Sequence, residues 1–182
     1  MIRALYYALA WTAAADAPPD ARAFAYHRGL QPILLALISA VVLETVAVHA
    51  LVFFLISRTL AWVLLALSLL GLVWLLGLVN SVAKLPILVT EAGVRIRAGL
   101  LIDLWLPADQ IAGVRTGLDF GNLKRPEVLR ASLVVYPNVL IELSPRLSVG
   151  QGARRREVAL VALHPDDLAG FVAAVKGLKG GA

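Results

Sequence analysis

The chain has 182 residues, 60% of them hydrophobic and 16% charged, against about 45–50% apolar and about 25% charged in a soluble domain. That balance favours a membrane protein with a modest polar part, and the absence of cysteine excludes disulfides, thiolate metal sites and cysteine nucleophiles. The net charge of +5 is small; where the basic residues fall is more informative than their sum.

Residues 1–30 read as a cytoplasmic or interfacial segment. In MIRALYYALAWTAAA, Arg3 before a short apolar stretch has features of a secretory signal. Tyr6, Tyr7 and Thr12 interrupt that stretch, and Tyr6, Tyr7 and Trp11 suit the headgroup region, which favours an interfacial helix. ADAPPD, residues 15–20, then ends any helix with two prolines.

Residues 31–82 read as a transmembrane helical hairpin. Ile33 to Ile56 spans 24 residues, 16 of them Ile, Leu, Val or Phe, and Leu60 to Val79 supplies 20 more without a charge. Each run meets the roughly 20 apolar residues a spanning helix needs. Sixteen such residues contribute roughly −5 to −10 kcal/mol to insertion, against about +3 kcal/mol for one central charge, so the first run inserts despite Glu44. Only Ser57, Arg58 and Thr59 separate the runs, which forces the helices antiparallel. Arg3, Arg22 and Arg28 precede the hairpin, Lys84, Arg95 and Arg97 follow it, and the turn has Arg58 alone. The positive-inside tendency then places both termini in the cytoplasm, in a multi-pass protein of the inner (cytoplasmic) membrane.

From residue 83 onward short segments alternate with turn residues. LPILVTE, GVRIRAG, LLIDLWLP, QIAGVRT, SLVVYP, VLIELS and EVALVALH are seven expected strands. Val94 and Ile96 alternate with Arg95 and Arg97, the period of a half-buried strand, while Val139, Ile141 and Leu143 alternate with an equally apolar Leu140. In HPDDLAGFVAAVKGL, residues 164–178, Pro165 suits the first helical position and Asp166 and Asp167 the positive end of the dipole. Leu168, Phe171, Val172, Val175 and Leu178 make one apolar helix face. The expected fold class is α+β: a two-helix transmembrane hairpin, then a seven-stranded barrel or sandwich capped by a C-terminal helix.

Residues 88–114, LVTEAGVRIRAGLLIDLWLPADQIAGV, resemble the opening of the bacterial pleckstrin-homology-like domains that flank membrane helices, through Thr90, Glu91, Gly99, Leu100, Leu101, Pro107 and Ile111. The layout from 33 to 178 fits the same family, whereas GLDFGNLKRPEVLRA, residues 117–131, departs from it. The resemblance implies a PH-like domain in a membrane-anchored interaction or assembly module, with no chemistry common to the family.

No catalytic constellation assembles from the sequence. His27, His49 and His164 fall in three settings, no HExxH-type spacing or phosphate loop is present, and no serine is flanked as a hydrolase nucleophile. The expectation is therefore a non-enzymatic protein without cofactor or metal. Lys124, Arg125 and Arg130 in one loop and Arg146, Arg154, Arg155 and Arg156 around another are a candidate basic patch for anionic lipid headgroups. Aromatic stacking residues are absent beside these arginines in the sequence, which argues against nucleic acid. Glu44 and His49, five apart, are near in depth without sharing a face, whereas Thr45 and His49 share one. In the antiparallel hairpin Ser68 falls near the depth of His49 and Gly71 near that of Glu44. With no basic residue on the second helix for Glu44, the leading expectation is packing against another membrane protein or a second copy, with Glu44, His49, Thr45 and Ser68 as polar contacts. The alternative is a small transport component using Glu44 and His49 in a proton or ion path.

Overall fold

A computed structural model describes residues 6–7, 15–117, 122–150 and 155–178; most of the expected interfacial helix in residues 1–15, and Arg154 of the basic patch, lie outside them. The fold is α+β, with two long apolar helices, strands in two sheets and a C-terminal helix.

Helix α1 (Gln31–Leu55) begins with Pro at its first turn, where the missing N–H has no helical partner to lose. Helix α2 (Arg58–Lys84) is capped by Ser57, whose side chain accepts from the Leu60 N–H. Only Ile56 and Ser57 lie between them, so the turn is one residue tighter than expected and Arg58 and Thr59 belong to the helix. Both helices are long and apolar enough to cross a membrane. Their apolar side chains point outward: Leu43, Phe54 and Leu55 are 72–79% exposed.

The first sheet has the order β1 (Arg22–Phe24), β2 (Ile87–Thr90), β3 (Gly93–Ala98), β4 (Ile102–Pro107), all antiparallel. Gly93 and Gly99 bracket β3 with positive φ, 151° and 53°, as tight connections require. The second sheet has the order β5 (Ile111–Thr116), β7 (Val139–Val149), β8 (Arg156–Leu163), β6 (Val128–Arg130). β6 runs parallel to β8 and the other pairs are antiparallel.

Three expectations are corrected here. The described strands number eight, in two sheets of four, and they do not close into a barrel: a short helical turn, Ala108–Gln110, separates β4 from β5, which join different sheets. SLVVYP is not a strand. It forms a turn with Leu133 at φ 51°, a conformation no strand residue adopts, and VLR just before it takes the place beside β8. Arg97 does not face outward; it is 2% exposed.

One core joins the sheets to helix α3 (Leu168–Gly177), with Ile96, Leu106, Ile141, Val161 and Phe171 at its centre. Phe171 meets Phe24 edge to face at 5.4 Å. The cap of α3 is Asp167, whose side chain accepts from the Gly170 N–H, so Pro165 precedes the helix. The doubly apolar β7 has a cause: Leu140 joins Leu123, Val128 and Ala162 in a second small cluster.

Candidate functional site

Helical periodicity places Leu37, Val41, Glu44 and Val48 on one stripe of α1, with Ser68, Gly71 and Leu75 on one stripe of α2. These stripes, with Thr45 and Trp74, line an open groove of about 440 Å³ on one side of the hairpin. Glu44, Thr45 and Ser68 make no side-chain hydrogen bond or ion pair among the described residues. Gly71 leaves the wall open, since a Cβ there meets nothing within 4 Å. The groove can therefore accept a close-packing helix, and it offers that helix one carboxyl and two hydroxyls.

His49 lies elsewhere. Its Nδ1 is 3.2 Å from the Ala61 carbonyl oxygen, and because a carbonyl only accepts, the proton of this bond sits on Nδ1. Its ring packs against Trp62 and Phe53, with centroids 5.7 and 5.9 Å away. Ser68 consequently belongs with Glu44 and Thr45, not at the level of His49, and His49 ties the two helices together near the turn. The four polar residues singled out on the hairpin thus divide three to one.

Among the described residues, the basic side chains are held at separate points. Arg125 and Arg146 converge on Glu127, at 3.8 and 3.5 Å, with Lys124 exposed nearby in sequence. Arg155 donates to the Ser148 Oγ at 2.5 Å, and Arg156 opens β8 beside it, paired in register with Val149. Arg130 closes β6 with its guanidinium 6.0 Å from the Tyr136 ring centroid.

A polar junction between helices and sheets had no local signal in the sequence. Arg97 donates from Nε to the Pro86 carbonyl at 2.9 Å, and its Nη atoms donate to the Asp16 carboxylate and carbonyl at 2.5 Å each. The Asp16 N–H in turn donates to the Lys84 carbonyl at 2.9 Å, and Asn80 donates to the Tyr7 carbonyl at 2.5 Å. The Tyr26 hydroxyl accepts from the Gly99 N–H at 2.7 Å. Burial pushes the Tyr26 pKa up to about 12, against the lowering effects of that N–H and of Arg97. The N-terminal segment is thereby strapped across the point where α2 enters the first sheet.

No family model, curated protein or solved structure matches the chain.

Proposed function

We propose that the protein is a membrane-anchored, non-enzymatic scaffold or accessory subunit, whose hairpin crosses the bilayer and packs its Glu44 groove against another membrane helix. That helix belongs to a different membrane protein or to a second copy of the chain. The observation that carries the reading is a carboxyl group in an open groove, with no partner among the described residues. In hydrocarbon a charged side chain costs about 2.5–3.5 kcal/mol on insertion scales, and such groups normally face a protein partner. A hydroxyl, amide or protonated acid on the incoming helix would meet that need, and Gly71 permits close approach.

The basic-residue asymmetry about the hairpin supports cytoplasmic termini in an inner membrane. Two sheets with a capping helix are compatible with the resemblance to PH-like domains, whose role here would be protein or lipid-surface contact. The transport alternative draws less support, because Glu44 and His49 do not converge and His49 is bonded to the Ala61 carbonyl.

Gly71→Leu fills the groove and Glu44→Leu removes its acid. Both are expected to shrink the complex extracted in mild detergent, with at least about a tenfold loss of association, equivalent to about 1.4 kcal/mol. Glu44→Gln keeps a hydrogen-bonding group and should retain most of it. An unchanged particle size in Gly71→Leu and Glu44→Leu would refute the scaffold, and lost ion flux in an intact complex would establish the transport reading.

A further inference from the structure

The end of the β-domain next to the hairpin carries exposed apolar and aromatic side chains where a water-facing domain would carry polar ones. Val134 is 63%, Tyr136 52% and Leu101 53% exposed. Separate contacts bring these positions to one level. Gly29, two residues before α1, packs on Val135, 3.4 Å from a Cβ built there. Gly99, in the turn that carries Leu101, packs on Ser81 and Val82 of α2. A third segment reaches the same level, since the Tyr7 carbonyl is held by Asn80, and neighbouring Tyr6 is 59% exposed.

Helix geometry gives that level a meaning. Trp62, 60% exposed near the turn, lies 18 residues from Asn80, about 27 Å along a helix at 1.5 Å per residue. The hydrocarbon core is about 30 Å thick, and tyrosine and tryptophan collect at its two boundaries. The rim of Leu101, Val134 and Tyr136 therefore stands at the second boundary when Trp62 stands at the first. Arg130, held over the Tyr136 ring, brings a guanidinium to the same place, where phosphate groups of lipids lie. Arg155 and Arg156 are remote from it: β8 runs from Arg156 to Leu163, about 23 Å at about 3.3 Å per residue, before His164 reaches Gly29.

We infer that the rim formed by Leu101, Val134 and Tyr136 is seated in the lipid headgroup layer, with Arg130 binding the phosphate of an anionic phospholipid. This fixes the β-domain against the membrane and assigns the lipid contact to Arg130 instead of Arg155 and Arg156. The inference rests on the hairpin crossing the bilayer, and its test separates the two.

The chain has no native cysteine, so single fluorescent labels can be placed on the full-length protein in lipid nanodiscs at Leu70→Cys, Leu101→Cys, Val134→Cys and Glu157→Cys. Lipids spin-labelled deep in the acyl chain should quench position 70. Lipids spin-labelled at the headgroup should quench 101 and 134, and aqueous iodide should quench 157. Headgroup-labelled anionic lipid should quench position 134 more strongly than the zwitterionic form. Arg130→Gln should lower that preference about fivefold, with Arg130→Lys restoring most of it and Arg155→Gln leaving it unchanged. If position 70 is quenched from the bilayer while 134 is as open to iodide as 157, the rim assignment falls and the hairpin stands. If position 70 escapes the deep quencher, the membrane reading itself falls.

Discussion

The hairpin and the β-domain are built from the same apolar residue types and treat them oppositely. In the β-domain Val94, Ile96, Leu106, Val139, Ile141, Val158 and Val161 are fully buried. In the hairpin Leu43, Phe54, Leu55, Leu67 and Trp62 are at least 60% exposed. Burial of a leucine-sized side chain stabilises by about 1.5–3 kcal/mol relative to water; the β-domain takes that contribution from its own sheets. The hairpin leaves it to the surroundings, as the proposed crossing of a bilayer would require. Between them lies a polar junction in which the buried Arg97 is held by the exposed Asp16.

Four substitutions test this contrast. The largest effect is expected from Phe171→Ala, fully buried between the sheets, which should cost about 3–5 kcal/mol of unfolding free energy in detergent micelles. Leu43→Ala on the hairpin should fall within about 0.5 kcal/mol of the parent. Equal losses at the two sites would erase the contrast.

Next is pH. Burial favours the neutral Tyr26 phenol, raising its pKa from 10.0 to about 12 in the folded state. The stabilisation is therefore complete below about pH 10 and is lost as pH rises to about 12, a decline of about 2–3 kcal/mol. Tyr26→Phe should flatten that part of the stability-against-pH curve at a cost of about 1 kcal/mol at neutral pH, since the Gly99 N–H loses its acceptor.

A more modest loss than that of Phe171→Ala is expected at the junction. Asp16 is 64% exposed while Arg97 is 2% exposed, so the pair is half in water and Asp16→Ala leaves the guanidinium its two backbone acceptors. A loss of about 1 kcal/mol is expected in chemical unfolding, with faster proteolysis of the N-terminal segment. An unchanged cleavage rate would show that Asp16 does not hold the strap.

How far the sequence anticipates these regions follows the range of the interactions. The helices are legible because insertion depends on summed local apolarity, and their ends are missed by only a few residues at α2, which continues to Lys84. β3 and β4 are legible because Gly93 and Gly99 mark their turns. SLVVYP misleads because its β-branched run has no partner in register, and β-propensity reflects packing more than backbone preference. β1 is three residues whose strand character comes from pairing with β2, more than sixty positions away. Gly71 near Glu44 follows from helix period and a tight turn, whereas the grouping of Thr45 and Ser68 with Glu44, apart from His49, does not. The bond of His49 to Ala61 and the burial of Arg97 by Asp16 depend on contacts that no window of sequence contains.

In the proposed arrangement the hairpin crosses the bilayer and returns both flanks to one side. Cysteines introduced singly at Asp20, Arg58 and Glu157 can be probed with a membrane-impermeant maleimide in sealed vesicles of known orientation. Positions 20 and 157 should react from the same face and position 58 from the other. Labelling of 20 and 157 from opposite faces, or of all three from one, would contradict it.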